Sequence, residues 1–198
     1  MKRTFFILGC VFTLLTGGNS TADSTEDYRS KYTGQEYREI KSLSSEDIDE
    51  LQNGKGWGLA KAAELNGMPG PVHLLEMKEE INLSDIQVSQ IERFYAKMKN
   101  DAIPLGLRLI ELERELNNDF ADRTIGEKRL KNLLDRIAEV YMSLRYVHLS
   151  THLKTPSILT PSQIETYNKL RGYFSDDPCK DIPKGHDPEM WKKHHDCP

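Results

Sequence analysis

Nine positions, Val88, Ile91, Tyr95, Met98, Ala102, Leu105, Leu109, Leu112 and Leu116, follow one another at steps of three and four without a miss. Only an α-helix turns such a pattern to one side, and an apolar stripe about eight turns long needs a partner along its whole length. A second run, Leu130, Leu134, Ile137, Tyr141, Leu144, His148 and Thr151, keeps the same rhythm. The stretch between them, around Asn117 to Arg123, is short, so the two helices are expected to lie antiparallel as one long hairpin. Pro104 and Gly106 fall inside the first run. Because the apolar period carries through them, a bend near Pro104 is expected rather than an end. The expected class is all-α.

Four helix starts are written in capping form: Ser44 with Asp47, Ser84 with Gln87, Thr124 with Glu127, and Thr160 with Gln163. The cap hydroxyl accepts from the backbone N–H three residues on, and the side chain there reaches back to the cap's own N–H. Pro161 follows Thr160 at the first helical position, where a missing N–H costs nothing. Four main helices are therefore expected, the long pair flanked by shorter N- and C-terminal ones. The glycine-rich "NGKGWGLAKAAELNGMPGP" lacks both a preceding strand and GxGxxG spacing, which argues against a phosphate loop. It reads as a helix interrupted near Gly54, resumed from Trp57 to Leu65 and stopped by Asn66-Gly67, with a short helix in "PVHLLEMKEEI" before Leu83. Thr155-Pro156 weakens the third helix before Thr160 begins the last, which runs to about Tyr173. A single helical layer leaves one face uncovered. Either the short helices fold over it, or a second copy does, through seam positions such as Leu109.

At the N-terminus, Lys2 and Arg3 precede an apolar run, Thr4 to Leu15. It is too short to span a bilayer and fits a secretory leader, residues 1–22, ending in Ser20-Thr21-Ala22. "ILGC" offers lipoprotein processing at Cys10 as the alternative. The apolar run continues five residues beyond Cys10 and leaves too little ahead of it, so soluble export to the periplasm is preferred. Residues 23–43 read as a loose polar arm, 44–173 as the helical domain and 174–198 as a Cys/His-containing tail. The formal charge of −4, two units more negative without Lys2 and Arg3, is no footprint for nucleic acid.

Leu83 to Gln87, "LSDIQ", and Leu159 to Gln163, "LTPSQ", share one pattern: Leu83 and Leu159, then Ser84 and Thr160, then Gln87 and Gln163. An exported helical chain with two LTxxQ-type motifs resembles the Spy/CpxP family of periplasmic proteins, which embraces heavy-metal-sensing and zinc-binding relatives. The resemblance spans about Leu43 to Tyr173; the second motif matches fully, and the first departs by Ser84. "GLAKAAELNGMPGP" and "HLSTHLKTPSILTPSQ" are similar to the periplasmic heavy-metal-sensor subgroup. The resemblance implies a hairpin that dimerises into a cradle. It also implies ATP-independent binding of unfolded or misfolded envelope proteins under stress, modulation of a membrane stress-signalling partner, or metal sensing.

His148 and His152, four apart on one helix face, have a spacing that can chelate a divalent metal. If Leu112 faces Leu134, Met98 lies opposite His148, and His73 and Glu76 reach the same open end. Such a set suits zinc, nickel or copper. The plainer reading, which the residues favour, makes His148 a buried seam residue bonded to Tyr95 or to backbone, with His152 solvated. In the tail, Cys179 and Cys197 are expected to form a disulfide in an oxidising compartment. The alternative takes them with His186, His194 and His195 as metal ligands. There is no GxSxG elbow, no Cys–His pair on an ordered scaffold and no phosphate loop, so a non-enzymatic role needing no cofactor is expected.

Overall fold

The structure, a computed structural model, describes residues 28–173, 179, 182 and 185–197. The leader, the Cys10 alternative and residues 23–27 of the arm lie outside them. The chain divides into two compact units, residues 1–36 and 37–198. In the first, Thr33 Oγ1 donates to the Ser30 carbonyl at 2.7 Å and closes a turn. The second is helical and, among its described residues, has no strand. Its helices are α1 (Ser45–Gln52), α2 (Lys61–Glu64), α3 (Pro71–Glu76), α4 (Asp85–Ala121), α5 (Glu127–His152), α6 (Pro161–Leu170) and α7 (Pro188–His194), with a 3-10 turn at Thr155–Ile158.

The long pair, α4 and α5, touch in opposite sense along their lengths. Near the end of α4, Glu115 and Asp119 pair with Arg129 near the start of α5. Near the start of α4, Phe94 and Met98 share a hollow with Val147 and Thr151 from the end of α5. The helix continues unbroken through Pro104, which is exposed, and reaches Ala121, so the connection is Asp122–Gly126 rather than Asn117–Arg123. Every expected α4 seam position is buried or half-buried. On α5 the period holds but two positions slip by one: Leu133 is fully buried and Val140 packs on the core, while Leu134 and Tyr141 are exposed. A run as apolar as Leu133-Leu134 offers both registers, and only the partner helix selects one.

Gly106 is a packing site. A Cβ there would stand 2.2 Å from the Leu51 carbonyl oxygen, so the end of α1 lies directly against α4 at the one residue with no side chain. This contact helps close one core, of Ile40, Leu43, Leu51, Leu59, Ala102, Leu109, Ile110 and Leu144. Leu109 is 1% exposed and so unavailable to a second copy; the short helices themselves cover this face of the seam. The last residues of the arm also differ from expectation. Ile40 and Leu43 are buried, and Asn117 on α4 bonds both Lys41 N (3.2 Å) and the Glu39 carbonyl (3.3 Å). Two apolar residues among so many polar ones show no period, and a strap needs none.

Three of the four expected caps form as complete capping boxes, at Ser44, Ser84 and Thr160. The fourth does not: Gly126 is the N-cap of α5, and Thr124 Oγ1 bonds the Asp119 carbonyl at 3.3 Å. Arg129 bridging back to α4 anchors that end instead.

Candidate functional site

The repeated motif resolves into a clasp. Gln87 Nε2 donates to Gln163 Oε1 at 2.9 Å, and Gln163 Nε2 returns a bond to Gln87 Oε1 at 3.1 Å. Each amide nitrogen also donates to a carbonyl of the other arm, Gln87 to Ile158 (2.8 Å) and Gln163 to Asn82 (3.1 Å). Each amide oxygen accepts from its own cap, Ser84 N or Thr160 N, at 2.9 Å. Both leucines ahead of the caps, Leu83 and Leu159, pack into a second core with Leu74, Ile81, Ile91 and Tyr167. Ile164, four residues after the Thr160 cap, packs on the same core, as a hydrophobic staple does.

A carboxylate can imitate only the accepting half of these glutamines. Gln87→Glu keeps the capping box but loses two donated bonds and sets a charge against two acceptors. A loss of about 2–3 kcal/mol is expected at pH 7, with partial recovery below about pH 4, where the acid can donate. Urea unfolding at both pH values checks this, and an unchanged midpoint would refute the clasp.

Elsewhere in the helical unit lies a cavity of about 400 Å³, walled by Ala60, Leu65, Pro71 and Val72 and by the polar residues Lys61, Glu64, His73, His148, His152, Arg171 and Tyr173. Glu64 of α2 is its pivot. Its Oε1 accepts from Tyr173 OH (2.8 Å), Arg171 Nη2 (2.9 Å) and Tyr167 OH (3.1 Å), with His73 Nε2 at 3.7 Å. Burial pushes the Glu64 carboxyl up, but the Tyr173 bond, the His73 and Arg171 charges and the Tyr167 bond outweigh it, and its pKa is lowered. The Tyr167 hydroxyl is pushed up, by burial first and then by the Glu64 charge.

Both α5 histidines line this cavity, one turn apart. His152 is 5% exposed and its Nδ1 lies 2.8 Å from the Met68 carbonyl, so that nitrogen carries the proton and Nε2 keeps its lone pair. Gly70 makes room for the ring: a Cβ there would stand 2.7 Å from His152 Cε1 and 2.8 Å from Nε2. Thr155 Oγ1 bonds the next carbonyl, of Pro69, so the Met68–Gly70 strap is tied to the end of α5. His148 is 2% exposed, and its Nε2 is buried without a hydrogen-bond partner. Burial, and secondarily the His152 charge, lowers its pKa to about 4. The expected bond to Tyr95 or backbone at this nitrogen is absent, and His152 is buried rather than solvated.

Of the other expected ligands, His73 is in the cavity wall, and Glu76 is half a step removed, bonded to His73 Nδ1 at 2.9 Å. Met98 is not there; it lines the separate hollow with Phe94, Tyr146 and Thr151. In the tail, Cys179 and Cys197 are joined as a disulfide. His186 and His195 flank the Trp191 ring, with centroids 4.8 and 4.1 Å away. Among the described residues, no group of three or more His, Cys, Asp or Glu is arranged to hold a metal ion. Glu64, Arg171 and Tyr173 went unnoticed in the sequence because single polar residues spread over 110 positions carry no spacing signal. Among the described residues no helix is long and apolar enough to cross a membrane. Comparison with family models, with curated proteins and with solved structures finds no match for this chain.

Proposed function

We propose that this is an exported, non-catalytic, chaperone-like protein that binds unfolded or misfolded envelope proteins without nucleotide. One observation carries the reading: Leu134, Tyr141, Met142 and Tyr146 of α5, with Leu153 just past its end, are between 39% and 67% exposed. Isolated exposed apolar residues are ordinary, but several large ones gathered on one helix and its end suit a binding surface. Its chemistry fits a variable occupant. Tyrosine and methionine give broad, adaptable contact area, and exposed Asp135, Glu139, Arg145 and Lys154 lie along the same helix with both signs of charge. A cradle-like homodimer built on the α4–α5 pair belongs to the same proposal, as does regulation of a membrane stress-signalling partner.

The mature protein should suppress aggregation of a chemically denatured model substrate at near-stoichiometric ratio without ATP. Met142→Lys with Tyr146→Lys should abolish most of that suppression and leave helicity unchanged, since neither side chain is in the core. Full suppression by the double variant would overturn the assignment of the surface. Absence of suppression by the wild type, at low and physiological salt, would overturn the function.

A second reading, metal sensing, is favoured by the buried, unpartnered Nε2 of His148, a residue that lines the same cavity as His152. In it, ion binding at the α5 histidines would couple to the strap that His152 and Thr155 hold.

A further inference from the structure

We propose that the cavity between α2, the Met68–Gly70 strap and α5 is a two-coordinate site for a monovalent d10 cation, Cu(I) or Ag(I), held by His148 Nε2 and His152 Nε2. The proposal rests on the metal-sensing reading and narrows it to one class of ion. Three observations converge. His152 is locked by its 2.8 Å bond to the Met68 carbonyl into the tautomer that presents an Nε2 lone pair. His148, one turn earlier on the same wall, has a buried Nε2 with no partner. Buried polar atoms are nearly always satisfied, and an orphan calls for a group that satisfies it.

The surroundings decide the ion. A divalent zinc or nickel ion needs four or more donors, and no group of three is arranged among the described residues. Met98, the soft donor expected from the sequence, lies in another hollow. Glu64 is the sole carboxylate in the wall, and its Oε1 is already taken by three donors. Lys61 and Arg171 add positive charge, which repels a divalent ion twice as strongly as a monovalent one, and the ion's own desolvation cost rises with the square of its charge. A d10 monovalent ion is content with two neutral nitrogens and apolar neighbours such as Leu65, Pro71 and Val72. Glu64 Oε2, which makes no hydrogen bond, stands 3.7 Å from the point a Gly70 Cβ would occupy, and His152 Nε2 stands 2.8 Å from the same point. The counter-charge is thus beside the site without being a ligand.

The test uses the full mature chain, uniformly 15N-labelled, in chloride-free buffer with Ag(I) as a redox-inert probe, and repeats it with Cu(I) under ascorbate. One equivalent should shift the His148 and His152 Nε2 resonances and leave those of His194 and His195 in place. At a hundredfold excess over Kd the melting temperature should rise by about 5–10 °C. His148→Leu and His152→Gln should each abolish that rise, whereas Met98→Leu and His194→Gln should not. The resonance shifts read ligation directly in the wild type, so a variant that folds poorly does not blunt the test. Zn(II) or Ni(II) binding at the same two nitrogens as tightly as Ag(I) would overturn the monovalent assignment and keep metal sensing. Unshifted resonances with every ion would overturn both.

Discussion

Gly106→Ala should lower stability by about 3 kcal/mol and the melting temperature by roughly 6–12 °C, although alanine is the better helix former. Two effects of opposite sign compete. Removing a glycine from a helix interior gains up to about 1 kcal/mol of propensity. Against it stands a new methyl 2.2 Å from the Leu51 carbonyl oxygen and 2.9 Å from its carbon. Both are backbone atoms, so no rotamer change relieves the contact. The end of α1 must move, and with it the packing of Leu51 against Ala102, Leu109 and Ile110. Gly56 is the control, because a Cβ there meets nothing within 4 Å and its backbone is not left-handed. Thermal melts of Gly106→Ala and Gly56→Ala should separate by the full amount. Equal melting temperatures would show that α1 is free to yield.

The protein should lose about 3 kcal/mol of stability between pH 6.5 and pH 4 through one side chain, His148. Its folded pKa is lowered to about 4 from the ordinary 6.5, by burial first and the neighbouring His152 second. Above pH 6.5 the ring is neutral in both folded and unfolded chains, and the contribution is fully present. As pH falls toward 4 the unfolded chain takes up a proton that the folded chain refuses, so stability falls. Below about 4 both are protonated and the slope ends. Asp47 and Glu64, whose carboxyls are held below their usual range, lose their contributions at lower pH, so the window from 6.5 to about 4.5 belongs to the histidine. His148→Leu should flatten the slope there and raise stability at pH 7 by about 1 kcal/mol, since an unpartnered buried nitrogen is replaced by hydrocarbon. Urea midpoints from pH 7.5 to 4.5 for both proteins measure this, and parallel slopes would rule His148 out as the cause.

Periodic features were legible in the sequence and solitary ones were not. The three capping boxes act within a few residues, the nine-position α4 seam is a regular period and the disulfide joins the only two cysteines of the tail, and the structure carries all of them. The α5 register slipped at Leu134 and Tyr141 because helical spacing alone does not say which of two adjacent apolar residues meets the partner. Thr124 failed as a cap because Gly126 offers the extended conformation four residues before the seam begins, and Arg129 secures that end from a distance. His148 and His152 were found from their spacing, and His73 with them. Met98 lines a hollow with Val147 and Thr151 and not the histidine cavity, and Glu64 had no signal because its role depends on Tyr167, Arg171 and Tyr173 converging from the far end of the domain.

The Gln87–Gln163 clasp also constrains the order in which the chain can assemble. The α4–α5 pair closes through a five-residue connection, Asp122–Gly126, so its first contacts cost little loop entropy and are available early. The clasp spans a separation of 76 residues, and its geometry presupposes both helices complete and α6 already turned back. It is therefore expected to form late, on the native side of the folding barrier. A late contact holds little of the folding rate and much of the unfolding rate. Two short motifs that read as ordinary helix beginnings are thus expected to act as the latch that sets how long the folded domain stays shut.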